Sequence, residues 1–449
     1  MTSALCLGQA TAAKAEDEAA SKDGVPNPSI STSLPEGGDK AVRAALAEKG
    51  ITFGVNYIGE IWGNTGGADQ SVLPAGRLEG VLDADLDRLL GLKGLTAHAN
   101  VYQYHGSGLS RENLGNIFAI SSIEALPGPR LFELYAEQQV NDLASVRLGQ
   151  MAVDSEFLIS ASGSTFVNGT FGWTGSTASN LPNGGMAYPL ATPGVRVKLE
   201  PSKNVTVLAG MFNGDPAGGR ADEIDPQDAN ASGLLFPVND PPFFIEELQY
   251  KYNTGKDAGG LPGTIKVGAW QHTGDFEHLR LDETGVSTAL SGADVALLSG
   301  SFGFYLVADQ QIYHFDGGEP DHGVHVFGRI STSPEDRNLV DFYVDGGIVV
   351  AGAHSARPDD AFGIAAAYAQ ISNEARALDR ETNLVNGTAL PVRSYEAVFE
   401  AYYKFQVAPG LTVQPDLQYV VNPGGDIVGD DGDDIDDALV GGVRVTLNY

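Results

Sequence analysis

Cysteine is nearly missing: the 449-residue chain holds 1, Cys6, among its first few residues. Disulfide frameworks and thiolate chemistry are therefore excluded from the folded part. Basic side chains are scarce as well, 27 Lys+Arg against 58 Asp+Glu, for a formal net charge of −31. Phosphate binding needs a basic footprint, and none is visible, so nucleic acid is excluded as a partner. No stretch reaches the roughly 18 uninterrupted apolar residues of a membrane-spanning helix. That absence leaves a membrane β-barrel open, because its lipid-facing residues are spread over alternate positions of short strands. Phosphate-cradling, zinc-binding and nucleophile-elbow motifs are missing too, so no enzyme activity, cofactor or metal is expected. An outer-membrane hydrolase stands as the remote alternative.

What the chain does hold is 57 Gly and 23 Pro with only 19% charged residues, a make-up that suits strands and turns better than long helices. Residues 1–15 read as the remnant of an export signal, with Ala13-Lys14-Ala15 as a small-x-small cleavage pattern. Residues 16–38, with Pro26, Pro28 and Pro35, read as a flexible linker. Residues 39–50 predict a short periplasmic helix, capped by Asp39 and stopped by Gly50. The remainder, 51–449, is expected to be one barrel.

Period-two alternation dominates from Ile51 onward. At the end of the chain Leu439, Gly441, Val443, Val445, Leu447 and Tyr449 form one face, opposed by Arg444, Thr446 and Asn448. About sixteen strands are expected, starting near residues 51, 78, 95, 131, 145, 194, 203, 244, 263, 301, 322, 338, 361, 393, 411 and 438. Connections after even-numbered strands are mostly tight, as at Asn141 to Leu143 and Ala408 to Gly410. Those after odd-numbered strands are mostly long, as at 106–130, 155–192, 213–243 and 274–300. Sorting of loops by parity is the mark of a transmembrane, antiparallel, up-and-down β-barrel with both termini in the periplasm. In lipid, closure is obligatory, because an open strand edge would leave amides and carbonyls without partners. Tyr449, Tyr402 with Tyr403, and Tyr250 with Tyr252 are candidates for an interfacial aromatic girdle.

The stretch DLDRLLGLKGLTAHANVYQYHGSGLSRENLGNIFAISSIEALPGPRLFELYAEQQV, running to Val140, and RLGQMAVDSEF at 147–157 carry a family resemblance. Together with AALAEKGITFGVNY at 44–57 and the turn Gly63 to Gly67, they resemble the carbohydrate-selective porin family typified by OprB. The motifs cover roughly the first third of the chain; beyond residue 200 the likeness rests on strand rhythm. The resemblance implies a sixteen-stranded outer-membrane barrel, narrowed by inward-folded loops, through which glucose-like sugars diffuse. A non-selective porin for small hydrophilic solutes is the alternative. Carbohydrate solutes and outer-membrane lipids are the expected partners. A homotrimer and a monomer both stand open, since the evenly apolar outer faces select no interface.

If the apolar faces meet lipid, the opposite faces turn Glu133, Glu137, Arg147, Arg196, Lys198, Glu247, Lys251, Lys266, Arg329, Glu396, Glu400 and Arg444 inward. Such side chains either brace a hydrated wall or offer hydrogen bonds to a sugar at the constriction. Trp173, in a long extracellular loop, is the first candidate for stacking on a sugar ring. Trp62 reads as an interfacial anchor and Trp270 as a wall residue. Arg111, Glu112 and Asn113 lie in a loop stretch that could form a short helix and reach the solute path. The acidic run 424–437 could hold a divalent cation, yet Ile427 occupies the first ligand position of an EF-hand alignment. A solvated extracellular loop is the expectation there.

Overall fold

The computed structural model describes residues 40–219, 224–254, 259–429, 432 and 435–449. The leader expected at 1–15, the linker at 16–38 and much of the acidic run at 424–437 lie outside the described residues. Alternating residues assemble into β1 (Ile51–Gly67), β2 (Val72–Asp85), β3 (Leu95–Gly106), β4 (Gly128–Asn141), β5 (Ala144–Met151) and β6 (Thr192–Ser202). Then follow β7 (Val205–Asn213), β8 (Pro242–Tyr252), β9 (Gly263–Asp282), β10 (Val295–His314) and β11 (Gly323–Thr332). The last five are β12 (Val340–Ala351), β13 (Ala361–Ile371), β14 (Tyr395–Ala408), β15 (Leu411–Val421) and β16 (Asp436–Asn448).

Every strand pairs antiparallel with its sequence neighbours, and β1 pairs with β16, so the sheet closes with no free end. The closing seam is tied at its base, where Val55 and the final residue exchange backbone bonds: Val55 N–H donates to Tyr449 at 2.9 Å and Tyr449 N–H to Val55 at 2.8 Å. Helix α1 (Lys40–Glu48) sits there as well, with the Arg43 guanidinium 4.4 Å from the Phe53 ring centre and 4.5 Å from that of Tyr449. Among the described residues, no helix is long and apolar enough to cross a membrane.

Alternation sorts side chains to the two sides of the wall. On β14 Phe399, Tyr403 and Phe405 are exposed on the outside, while Glu396, Glu400 and Tyr402 are buried inside. Tyr402 is thus a lumen residue bonded to Thr165 at 2.7 Å, and the girdle reading fails for it. Ile61, Leu134, Leu148, Leu248, Phe304 and Leu417 continue the exposed apolar exterior around the barrel.

Two of the long connections differ from the sequence reading. The expected loop at 274–300 shrinks because β9 and β10 run on as a tall hairpin to Asp282 and from Val295. Its outward positions there, Thr273, Asp275 and Glu277, are polar and no longer give an apolar alternation. Helix α2 (Asn373–Asn386) stands in the long connection between β13 and β14. Its Ser372 cap accepts from Ala375 N–H, and Gly387 ends it in the left-handed region, both of which are sequence-legible signals.

The lumen is partly filled by two loops that turn inward. Phe118, Ile120, Phe166 and Phe171 from 107–127 and 152–191 pack on Val340, Tyr343, Val398 and Tyr402 of the wall. Val153, Phe157, Leu158 and Met186 pack on Phe212, Phe243, Ile245 and Trp270. Burying such clusters removes apolar loop surface from water, at about 25 cal/mol per Å².

Candidate functional site

A loop lying inside a barrel carries backbone N–H groups that the sheet does not pair, and each needs an acceptor. The wall supplies carboxylates. Glu396 accepts from the N–H groups of Ile117, Phe118 and Gly424, each at 2.7 Å. Glu400 accepts from Val167 at 2.6 Å and Asn168 at 2.9 Å. Glu247 receives Leu158 N–H and the Tyr305 hydroxyl, both at 2.9 Å, and Glu133 receives Ala152 N–H at 2.9 Å. Asp309 holds Ser162 N–H at 3.0 Å and the Ser160 hydroxyl at 2.7 Å. The acidic excess read from composition is therefore spent in part on fastening loops to the wall.

Loop carbonyls find cations in the same way. Arg329 on β11 forms a two-pronged pair with Asp345 on β12, its Nε 2.9 Å and Nη2 2.5 Å from Oδ2. Its remaining N–H groups donate to the carbonyls of Leu158 at 3.1 Å, Thr170 at 2.7 Å and Gly172 at 2.7 Å. Lys266 donates to Ile159 at 2.7 Å. Arg444 pairs with Glu60 across the closing seam at 2.5 Å and reaches the Ser121 and Ser122 hydroxyls. Trp62, expected at the interface, is instead buried inside, where its indole N–H donates to Glu60 at 2.8 Å. Trp270 is an inner-wall residue packed beside Phe243.

A second set of polar groups keeps some contact with solvent and gathers on β2 to β6. Arg147 pairs with Glu137 at 2.9 Å and lies 4.0 Å over the Tyr135 ring. His98 stacks on that ring from the neighbouring strand, with centres 4.8 Å apart, and meets Asp83 at 2.7 Å. Arg196, itself buried, joins Glu137 to Glu156 of the inward loop at 2.6 Å, and Lys198 pairs with Glu200 at 3.3 Å. Burial alone would raise the Glu156 carboxyl, but Arg147 and Arg196 hold it below its usual range.

At the extracellular mouth three loops enclose a cavity of about 280 Å³. Arg111, Trp173, Asn183, Tyr188, Asp225 and Gln227 line it. The Trp173 indole is oriented by its N–H bond to Gly184 O at 2.9 Å, and Arg111 is held by an ion pair with Asp225. Arg111 and Trp173, chosen separately from the sequence, thus meet in one space. The stretch Ser110–Leu114 that carries Arg111 is helical, with wide π-type turns.

The predicted residues therefore divide into four groups. Glu133, Glu247, Arg329 and Glu400 are buried loop fasteners; Arg196 is a buried cross-link; Arg147, Lys198 and Arg444 keep partial exposure inside; Arg111 and Trp173 lie at the mouth. Sequence reasoning missed Asp345, Asp309, Glu60 and Glu156. Strand alternation places the first three inward beside their arginine or serine partners. Glu156 lies in an irregular loop that carries no such signal. Among the described residues, no group of three or more His, Cys, Asp or Glu side chains is placed to hold a metal ion.

A closed sixteen-strand barrel with an apolar exterior, a charged interior and loops folded into the lumen defines an outer-membrane diffusion channel. The chain belongs to the carbohydrate-selective porin, OprB family, whose model matches residues 69–449. It is similar to Porin B of Pseudomonas aeruginosa, 28% identical over 427 residues, covering 90% of this chain and 88% of that protein. It is also similar to the putative porin QuiX of Acinetobacter baylyi, 22% identical over 431 residues and covering 91% of each. Among solved structures, Pseudomonas putida OprB at high pH has a TM-score of 0.81 at 24% identity, covering 93% of this chain and 99% of that one. The chain is a bacterial outer-membrane porin for sugars, and not an enzyme.

Proposed function

We propose that a sugar enters at the mouth cavity, rests its ring against Trp173 while Arg111 and Asn183 engage its hydroxyls, and then descends along the inner faces of β2 to β6. The observation that carries this reading is the meeting of Trp173 and Arg111, from separate loops, in one cavity of about 280 Å³. That volume lies just under the roughly 300–1,000 Å³ of ordinary small-molecule sites, and so favours a single ring over a longer chain. Below it, the Asp83, His98, Tyr135 and Arg147 strip offers an aromatic flank between donors and acceptors. A sugar, with apolar ring faces and a rim of hydroxyls, matches that alternation better than an ion or an amino acid does.

Planar-bilayer current recorded while glucose is titrated tests the reading with wild type and Trp173→Ala. Saturable block in the wild type that weakens in the variant supports it. Identical block in both removes Trp173 from the path.

A further inference from the structure

One face of helix α2 carries two cations that have no counterion among the described residues. The three carboxylates of the helix are all taken: Glu374 and Glu381 pair with Arg280 of β9 at 2.5 and 3.0 Å, and Asp379 pairs with Arg393 at 2.7 Å. Arg376 and Arg380 meet none of them. Among the described residues every other arginine side chain donates to a carboxylate or a carbonyl, whereas no hydrogen bond or ion pair reaches these two guanidinium groups. The Arg376 Nε is moreover buried, and no acceptor faces its N–H. In a chain of net charge −31, carboxylates are plentiful enough to have supplied both counterions.

That face is turned to the outside of the barrel, at the level where the apolar belt ends. Arg376 lies in electrostatic reach of the Tyr368 hydroxyl, at an outward position of β13, and the Tyr368 ring stacks on Tyr395 of β14 with centres 5.2 Å apart. Asp341, also within reach of Tyr368, is engaged by Gln370 at 3.3 Å. From Tyr395 down to Phe405 the outward face of β14 spans ten residues, which at about 3.3 Å per residue and a tilt of about 40° makes about 25 Å, the height of a lipid-facing band. Tyr368 and Tyr395 therefore mark its extracellular girdle, with Tyr403 and Phe405 at the other edge. Arg380 and Leu384 follow Arg376 at intervals of four and share its row on the helix. Leu384 is 81% exposed, an apolar side chain beside two cations, as at a lipid–water boundary.

We propose that Arg376 and Arg380, above the stacked rings of Tyr368 and Tyr395, bind a phosphate on the headgroup of an outer-leaflet lipid. A guanidinium presents paired N–H donors that match phosphate oxygens, and two of them four residues apart on one helix can grip the group from the same side. At the level of a girdle the abundant anion is a lipid phosphate, held in place by chains that lie along the apolar belt. The site is on the outer wall, so it serves the barrel whatever solute passes through the lumen.

The test uses the full-length protein in dodecyl maltoside, with diphosphoryl lipid A titrated in and bound lipid counted by native mass spectrometry. Wild type is expected to bind lipid A saturably, and Arg376→Gln with Arg380→Gln to bind it about tenfold or more weakly, the loss of charge-assisted bonds to one phosphate. Arg380→Gln alone, at an exposed side chain, should keep heat-modifiable migration and still weaken binding. Lys93→Gln, an exposed cation at the periplasmic rim, should leave the affinity unchanged. Inorganic phosphate at the same concentration as lipid A should displace none of it, because it lacks the chains; displacement at that concentration would give the site to a free anion and overturn the proposal. Equal affinity in wild type and both arginine variants also overturns it, as does dephosphorylated lipid A that binds as well as the intact form.

Discussion

Arg329 and Asp345 stand side by side on the inner wall, 2.5 Å apart at closest approach, and the guanidinium reaches past its partner to three loop carbonyls. This pair is therefore a fastener for the 152–191 loop as well as a wall contact. Removing one partner of a buried pair typically costs about 3–5 kcal/mol, because the other charge is left uncompensated. Arg329→Ala should lower the heat-modification midpoint and raise single-channel conductance as the loop swings free. Arg329→Met with Asp345→Leu should recover much of the stability but not the small conductance. Equal conductance in wild type and Arg329→Ala would show that the loop is held by its apolar packing alone.

Glu400 tests the same principle with opposite chemistry. Its carboxylate takes the N–H groups of Val167 and Asn168, and each donor orphaned in a buried site costs about 1–3 kcal/mol. Glu400→Ala should expose the 152–191 loop to protease added from outside, with the barrel itself left intact. Cleavage no faster than in wild type contradicts the assignment.

At the mouth, Trp173→Ala should weaken glucose block about two- to twelvefold, the worth of one aromatic contact at about 0.5–1.5 kcal/mol. Trp173→Phe should keep most of the block. Assembly should be unaffected in both, since the indole N–H bonds only the Gly184 carbonyl. Block lost equally in the Phe variant would point to loop disruption instead of ring stacking.

Two loop carboxyls give a pH dependence with a definite sign. Burial pushes Asp154 up to about 7 from 3.8 and Glu124 up to about 7 from 4.5. Between those limits the folded loops bind more protons than unfolded chain, so their contribution to stability falls as pH rises, and it levels off above about 7. Asp154→Asn with Glu124→Gln keeps the acceptors of Tyr188 and Ser110 and removes the titration. The difference in heat-modification midpoint between this variant and wild type should widen from about pH 4.5 to about 7, in favour of the variant. A constant difference across that range would rule the two groups out.

Much of the barrel was legible because its physics is periodic. Ile51, Leu95, Gly263, Ala361 and Leu411 begin strands where the alternation predicted. β2 and β10 began earlier than expected, at Val72 and Val295: Pro74, Ala75 and Gly76 blur the alternation at the start of β2, and the register shift between Ser299 and Ser301 breaks it in β10. The inward placement of Arg329, Glu247 and Glu400 followed from the same alternation. Their partners did not, because Leu158, Val167 and Thr170 act through backbone atoms of an irregular loop, which no side-chain pattern records. Trp62 misled for a related reason: tryptophans favour interfaces on average, while strand parity with Glu60 already placed it inside.

Single-channel current during a glucose titration tests most directly whether the lumen accepts sugars. The predicted result is a current reduction that saturates with glucose and weakens in Trp173→Ala. Current that stays constant at every glucose concentration, through a channel that conducts ions normally, would contradict it.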